Sequence, residues 1–280
     1  MKRKPDWLKI SLKSDERYIE TKNLTAGKGL HTICESGKCP NISECRRCGT
    51  ATFMILGDIC TRACKFCATK SGKPLPVNRA EANQIAESIR SISLKYAVIT
   101  SVDRDDLPDK GAEHWRLVVE CIRNINPDTA IEVLIPDFDG DKTLLDLALL
   151  SKPNVVGHNI ETVERLTPSI RSKARYNVSM NVLHHISSQG FMTKSGVMVG
   201  LGETENEVIQ TMRDAYNNGV RLFTIGQYLQ PTTKNVEVAE YITPEQFDIY
   251  KRIGKEIGFQ HIESAPLVRS SYMAHRGMEH

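Results

Sequence analysis

The sequence predicts an α/β fold, a parallel sheet with helices packed outside it. Three observations carry this reading. Strand-length apolar runs alternate with helix-length amphipathic segments about six times between Ala51 and Gly258. No internal repeat accompanies that rhythm, which points away from a solenoid. The 280 residues suffice for one large domain with a full core. A doubly wound sheet and a partial barrel both fit the alternation.

In chain order, the first thirty residues are polar with scattered anchors such as Trp7, Leu8 and Tyr18, and read as an extended or weakly helical arm. A Gly27-Lys28-Gly29 turn leads to Cys34-x4-Cys39-x5-Cys45, with Pro40 and Asn41 as turn formers and Cys48 close behind. Ala51 to Gly57 reads as the first strand, followed by the loop Cys60-x3-Cys64-x2-Cys67. Helices are expected over 79–92, with Ala82, Ile85, Ala86 and Ile89 on one face, and over 111–125, with Val118, Cys121, Ile122 and Ile125 inward. Further helices are expected over 144–150, 176–189, 203–217 and 244–258, the last with Thr243 as N-cap before Pro244. Strands are expected over 96–100, 130–135, around Val155-Val156, and over 195–199 and 221–228.

Composition narrows the function classes. There are 37 basic and 34 acidic residues, a formal net charge of +3, so charge indicates neither a nucleic-acid nor a membrane partner. The basic start, Met1-Lys2-Arg3-Lys4, is followed by no apolar segment, so neither a signal peptide nor a membrane span is expected. Seven of the eight cysteines lie between Cys34 and Cys67. A chain of this length needs no disulfide staples, so the expectation is reduced cytoplasmic thiols serving as ligands.

Three thiolates in a loop after a strand suit a metal centre. A structural zinc site wants four protein ligands, whereas a 4Fe-4S cluster on three cysteines keeps one iron open for a non-protein ligand. Structural cysteines and a redox thiol site are the plainer readings. Phe66, just before the third cysteine, is expected to shield the site from water. In a barrel, segments after the strands face one cavity. Ser101-Val102-Asp103-Arg104-Asp105-Asp106 is either a solvated turn or a site for the amine and hydroxyl groups of a bound ligand. Asn159 and Glu161 are placed to hold ribose hydroxyls or to cap a helix. Arg171, Lys173 and Arg175 are suited to a carboxylate or to a solvated helix start. Gly196 to Glu203 has glycines where backbone approaches something closely, yet matches neither a phosphate loop nor a dinucleotide fingerprint. Gln227, ending a strand, is expected to line the cavity. His184 and His185 read as packing or surface residues.

The C-x3-C-x2-C spacing with an aromatic before its third cysteine resembles the radical S-adenosylmethionine (SAM) superfamily, which favours the partial (β/α)6 TIM-like barrel. Cys34-x4-Cys39-x5-Cys45, Gly49 to Met54, Ser101 to Asp106, Gly226 to Pro231 and Arg269-Ser270-Ser271-Tyr272 are similar, more closely, to the lipoyl synthase family, over nearly the whole chain from Cys34. Met273 stands where that family often has histidine, and Cys48 is an extra thiol.

The resemblance implies an N-terminal extension (1–50) with auxiliary-cluster cysteines, a barrel (51–260) and a C-terminal tail (261–280) closing over that cluster. It implies two 4Fe-4S clusters, one on Cys60, Cys64 and Cys67 that binds SAM, the other on Cys34, Cys39, Cys45 and Ser271. Phe66, Ser101, Asp103, Asn159, Glu161, Arg171 and Gln227 are the expected SAM contacts. The implied reaction inserts sulfur at C6 and C8 of an octanoyl chain on a protein lysine, two SAM molecules being used and the auxiliary cluster consumed as sulfur donor. The implied partners are octanoylated lipoyl domains of 2-oxoacid dehydrogenases or the glycine-cleavage carrier protein, a reducing electron donor, and an iron–sulfur carrier that rebuilds the cluster. A cytoplasmic monomer is expected. The alternatives are another radical SAM sulfur-insertion enzyme of the biotin synthase kind, and a non-enzymatic iron–sulfur or zinc scaffold.

Overall fold

The computed structural model describes residues 3–9, 31–37, 39–42, 52–272 and 274. Cys45, Cys48, Met273 and the Gly27-Lys28-Gly29 turn lie outside the described residues. The chain divides into two compact units, one of residues 11–62 and 69–155, the other of residues 1–10, 63–68 and 156–280.

The first unit opens with a short strand β1 (His31–Thr32) and helix α1 (Ile33–Ser36). Strand β2 (Thr52–Ile55) pairs antiparallel with β1. A small parallel pair, β3 (Ile59–Cys60) and β4 (Lys70–Ser71), sets Cys60 opposite Ser71. Helix α2 (Glu81–Ser91), strand β5 (Tyr96–Ser101), helix α3 (Ala112–Ile125), strand β6 (Ala130–Leu134) and helix α4 (Lys142–Leu149) follow. Strands β2, β5 and β6 are parallel neighbours, Met54 facing Thr100 and Ala97 facing Ile131. The helical period puts Ala82, Ile85, Ala86 and Ile89 on the buried face of α2, as the spacing predicts. On α3, Trp115, Val118, Val119 and Ile122 are buried, whereas Cys121 and Ile125 are only half-buried. Asp141 caps α4, its side chain accepting from the Thr143 and Leu144 amides.

The second unit takes over within strand β7 (Val155–Gly157). It continues through helix α5 (Thr167–Ile170), helix α6 (Tyr176–Ser188), strand β8 (Met192–Val199), helix α7 (Glu205–Asn217), strand β9 (Leu222–Gln227) and helix α8 (Pro244–Ile257). Thr204 and Glu207 form a reciprocal capping box on α7. On α8, Thr243 is the N-cap, Pro244 opens the helix and Gly258, at φ +111°, ends it in the left-handed conformation. A further parallel strand, β10 (His261–Ser264), pairs with β9 where the tail was expected to begin. Strand β9 lies between β8 and β10. Val197, Val199, Phe223, Ile225 and Ile262 form one core with Val208 and Met212 of α7 and Phe247 and Tyr250 of α8. The alternate residues Lys194, Gly196, Met198, Leu222, Thr224 and Gly226 lie on the opposite face of the sheet.

Candidate active site

The cysteine loop is launched from a braced turn. Leu56, just past β2, sits at φ +67°, a conformation that needs support in a residue with a Cβ. Its amide donates to the buried Glu81 carboxylate at 2.8 Å, which also meets His114 Nε2 at 2.8 Å, and its carbonyl accepts from Arg104 at 3.3 Å. Cys60 follows on β3. Its Sγ accepts from the amides of Arg62 (3.4 Å) and Asp103 (3.3 Å) and lies 3.6 Å from Asp103 Oδ2. Two backbone N–H groups aimed at one sulfur suit a metal-ligating thiolate, while the Asp103 carboxylate, which accepts from the sulfur as a thiol, opposes the bare anion.

Between the first two motif cysteines, Arg62 is buried among carboxylates. It makes a fork to Asp105 (2.9 and 3.0 Å) and another to Asp137 (3.0 and 2.8 Å), with Asp139 at 3.3 Å and Asp103 at 3.4 Å. Burial works against its charge, but the hydrogen bonds to Asp105 and Asp137 and the field of Asp103 outweigh it and hold its pKa above the ordinary arginine value. Burial pushes the Asp103 carboxyl up, Arg62 opposing and Asp137 and Asp105 adding to the rise. Lys110 meets Asp139 from the far side. The strand-end loops 103–105 and 137–139 are thus held to the cysteine loop through one guanidinium. Arg62→Ala leaves those carboxylates facing each other and is expected to cost about 3–5 kcal/mol, read as a lowered urea midpoint. Arg62→Lys recovers part of it, because an ammonium cannot make two planar forks. An unchanged midpoint in Arg62→Ala contradicts this account.

Residues 63–68, in the second unit, are fixed by their own partners. The Ala63 amide donates to Ser172 Oγ at 3.1 Å, and that hydroxyl lies 3.6 Å from Cys64 Sγ. The Lys65 amide donates to the Ile170 carbonyl (2.8 Å), and Asn235 Nδ2 donates to the Lys65 (3.1 Å) and Cys67 (2.8 Å) carbonyls. Phe66 is half-buried against a cluster of Ile170, Leu201, Tyr228 and Val238. Arg62, Asp137, Asp139, Ser172 and Asn235 were not singled out from the sequence. The acidic run Asp137-Phe138-Asp139 directly after β6 was the available signal.

At the end of β7, Asn159 Nδ2 donates to Glu161 Oε1 (3.1 Å) and to Ser270 Oγ (2.6 Å). Glu161 is held at φ +71°, and burial raises its carboxyl pKa against the opposing pull of Arg171 and Asn159. Arg171 donates through Nη1 to the Ile160 carbonyl and to Ser179, while its Nε is buried with no partner among the described residues. Lys173 and Arg175 are exposed, so the expected basic cluster turns only Arg171 inward. In the first unit, Ser101 Oγ at the end of β5 is likewise buried without a partner among the described residues.

Two expectations are redirected by the geometry. Gln227 is wholly buried, and its carboxamide is spent on backbone. Nε2 donates to the carbonyls of Val199, Tyr228 and Glu240, and Oε1 accepts from the Ile242 amide. It fixes the 228–242 loop, with both amide hydrogens and the carboxamide oxygen bonded to backbone and the side chain wholly buried. What approaches Gly200 is protein, since at φ +95° a Cβ there would lie 2.1 Å from Gln227 Nε2. The Glu203 carboxylate turns onto the amides of Gly200 and Leu201 in the same loop.

The tail docks in the second unit. The Val268 carbonyl occupies the space a Cβ on Gly226 would fill, 2.1 Å from it, so the glycine is required by the tail. The Val268 amide donates to Ala265, and the Tyr272 amide to Arg269. Tyr272 and Ala274 help line a small cavity with Lys194, Thr224, His261 and Glu263. Ser271, half-buried, lies between these anchors. In the first unit, Cys34 on α1 and Cys39 share a turn closed by the Cys39 amide on the Cys34 carbonyl at 2.9 Å. None of the described cysteines is in a disulfide. Among the described residues no three Cys, His, Asp or Glu side chains are gathered closely enough to hold a metal ion. The residues nonetheless fit the expected groups, with the Cys60 sulfur met by two backbone N–H groups and, among the described residues, buried polar atoms lacking partners at Ser101 and Arg171.

The chain is similar to known proteins in sequence and in fold. The model of the Radical SAM superfamily matches residues 54–215. Similar folds include SuiB of Streptococcus suis, solved bound to S-adenosylmethionine, at TM-score 0.62 and 10% identity over 81% of this chain and 54% of that one. Methylornithine synthase has TM-score 0.56 and 12% identity over 94% and 82%. These likenesses establish the fold as the partial (β/α)6 barrel of radical SAM enzymes. The sequence is also 57% identical to the lipoyl synthase of Porphyromonas gingivalis over 275 residues, 98% of each chain. It is 55% identical to that of Parabacteroides distasonis over 274 residues, again 98% of each. The chain belongs to the lipoyl synthase family. It is a radical SAM sulfur-insertion enzyme, using SAM and iron–sulfur chemistry.

Proposed function

We propose that this chain converts an octanoyl group on a lysine of a carrier protein into the lipoyl group, inserting sulfur at C6 and C8. The observation that carries the proposal is the pairing, in one chain, of the Cys60-Cys64-Cys67 loop with a docked tail presenting Ser271. When bound, the two 4Fe-4S clusters and SAM supply a 5′-deoxyadenosyl radical and the sulfur, chemistry no side chain provides at carbons without acidic hydrogens. The protein's part is to hold and to shield. Cys60, Cys64 and Cys67 hold the SAM-binding cluster, and Phe66 with its apolar neighbours keeps water from it. Ser101, Asp103, Asn159, Glu161 and Arg171 are the groups assigned to SAM, Arg171 Nε, which has no partner among the described residues, suiting a carboxylate or hydroxyl. Cys34, Cys39, Cys45 and Ser271 hold the auxiliary cluster. A serine oxygen is a harder ligand than a thiolate and suits an iron whose cluster must come apart.

The substrates proposed are octanoylated lipoyl domains of 2-oxoacid dehydrogenases or the glycine-cleavage carrier, served by a reducing electron donor and an iron–sulfur carrier. The enzyme is proposed to act as a cytoplasmic monomer. Among the described residues no helix is long and apolar enough to cross a membrane. The test is substrate choice. Octanoyl-lysine on a carrier domain should turn over far faster than free octanoate in a reconstituted anaerobic assay, and equal rates would overturn the carrier assignment.

A further inference from the structure

The hydrogen bond from Asn159 Nδ2 to Ser270 Oγ, at 2.6 Å, spans 111 residues of sequence and joins two parts of the proposed site. Asn159 stands at the end of β7 beside Glu161, where an adenosyl ribose is proposed to bind. Ser270 immediately precedes Ser271 in the docked tail. We propose that Ser270 is a positioning residue that couples SAM binding to the placement of Ser271, an inference that rests on the assignment of Asn159 to the SAM site.

The argument is one of hydrogen-bond inventory. A carboxamide nitrogen has two N–H groups, and both are committed here, one to Glu161 Oε1 at 3.1 Å and one to Ser270. A ribose hydroxyl entering between Asn159 and Glu161 replaces the longer of these bonds, donating to the carboxylate and accepting from the amide. The shorter bond to Ser270 remains, and it fixes the rotation of the carboxamide that the hydroxyl must meet. SAM binding therefore favours the amide orientation that also holds the tail. Linkage makes the effect mutual, since a tail held by Ser270 must strengthen SAM binding by the factor with which SAM steadies the tail. The remaining tail anchors confine the change to a short segment. Val268 is seated against Gly226, and Tyr272 lines a cavity with Lys194 and Thr224, so loss of the Ser270 bond loosens the stretch between them without undocking the whole tail.

The experiment uses the reconstituted holoenzyme with oxidised clusters, so that SAM binds without being cleaved. SAM affinity is measured by equilibrium dialysis, and amide exchange over residues 269–272 is followed with and without SAM. Wild type should show slower exchange in this segment when SAM is present. Ser270→Ala should bind SAM about three- to tenfold more weakly, the range one hydrogen bond spans, and lose the SAM-dependent protection. Ser270→Thr, which keeps the hydroxyl, should restore both. A merely structural serine would lower thermal stability but leave SAM affinity and SAM-dependent protection intact, and that pattern overturns the proposal. Asn159→Ala separates the two levels of the argument. Weakened SAM binding in Asn159→Ala with normal binding in Ser270→Ala defeats the coupling alone. Unchanged SAM binding in Asn159→Ala defeats the SAM-site assignment and the coupling with it.

Discussion

Replacing Cys60, Cys64 and Cys67 together with alanine should abolish 5′-deoxyadenosine formation while leaving an iron–sulfur absorbance of about half the wild-type intensity, one cluster of two. The expectation follows from the separation of the cysteine sets. Cys60 is held on β3 by the amides of Arg62 and Asp103, whereas Cys34 and Cys39 share a different turn at α1. The fold should tolerate the change. Thr61 keeps its bonds to Asp103 and Asp105, and Arg62 keeps its carboxylates, none of which needs a sulfur. Iron and sulfide analysis with quantified 5′-deoxyadenosine checks this. Loss of both clusters would indicate one shared centre, and residual SAM cleavage would remove the assignment of this loop.

Ser271→Ala should separate the two halves of the reaction. If the serine oxygen is the ligand that three thiolates leave missing, its loss spares SAM cleavage and stops sulfur insertion. The variant made anaerobically should retain both clusters, produce 5′-deoxyadenosine, and yield little or no lipoyl product. Ser271→Cys should also fail, since a thiolate holds iron too firmly for the cluster to surrender sulfide. The plainer possibility, a tail that only packs, predicts a stability loss with normal product. Mass spectrometry of the octanoyl peptide beside a 5′-deoxyadenosine count distinguishes them, and a normal lipoyl yield from Ser271→Ala returns the tail to packing.

Much of this was legible because the relevant signals are local. The apolar run Tyr96–Thr100 and the one-sided spacing of Ala82, Ile85, Ala86 and Ile89 state their conformations within a few residues. Thr243-Pro244 and Gly258 mark both ends of one helix. The cysteine loop was legible as a motif for the same reason, its C-x3-C-x2-C spacing being contained in eight residues. Arg62 was not, although it lies inside that loop, because its partners come from 103–105 and 137–139 and meet it only in the folded chain. Gln227 misled for a related reason. A polar residue ending a barrel strand suggests a ligand, but its partners, Val199, Glu240 and Ile242, belong to neighbouring segments. Strand β10 escaped because His-Ile-Glu-Ser carries one apolar side chain in four residues, and it becomes a strand by pairing with β9.

The central claim is that one chain couples SAM cleavage to two sulfur insertions on a protein-bound octanoyl chain. Its most direct test is a single-turnover anaerobic reaction of the reconstituted enzyme with an octanoyl-lysine carrier, following intact carrier mass and 5′-deoxyadenosine together. The account predicts that the carrier exchanges two hydrogens for two sulfurs, with two molecules of 5′-deoxyadenosine formed per lipoyl group and the enzyme losing auxiliary-cluster iron in step. 5′-Deoxyadenosine formed without any sulfur reaching the carrier, or sulfur inserted while both clusters stay intact, would contradict it.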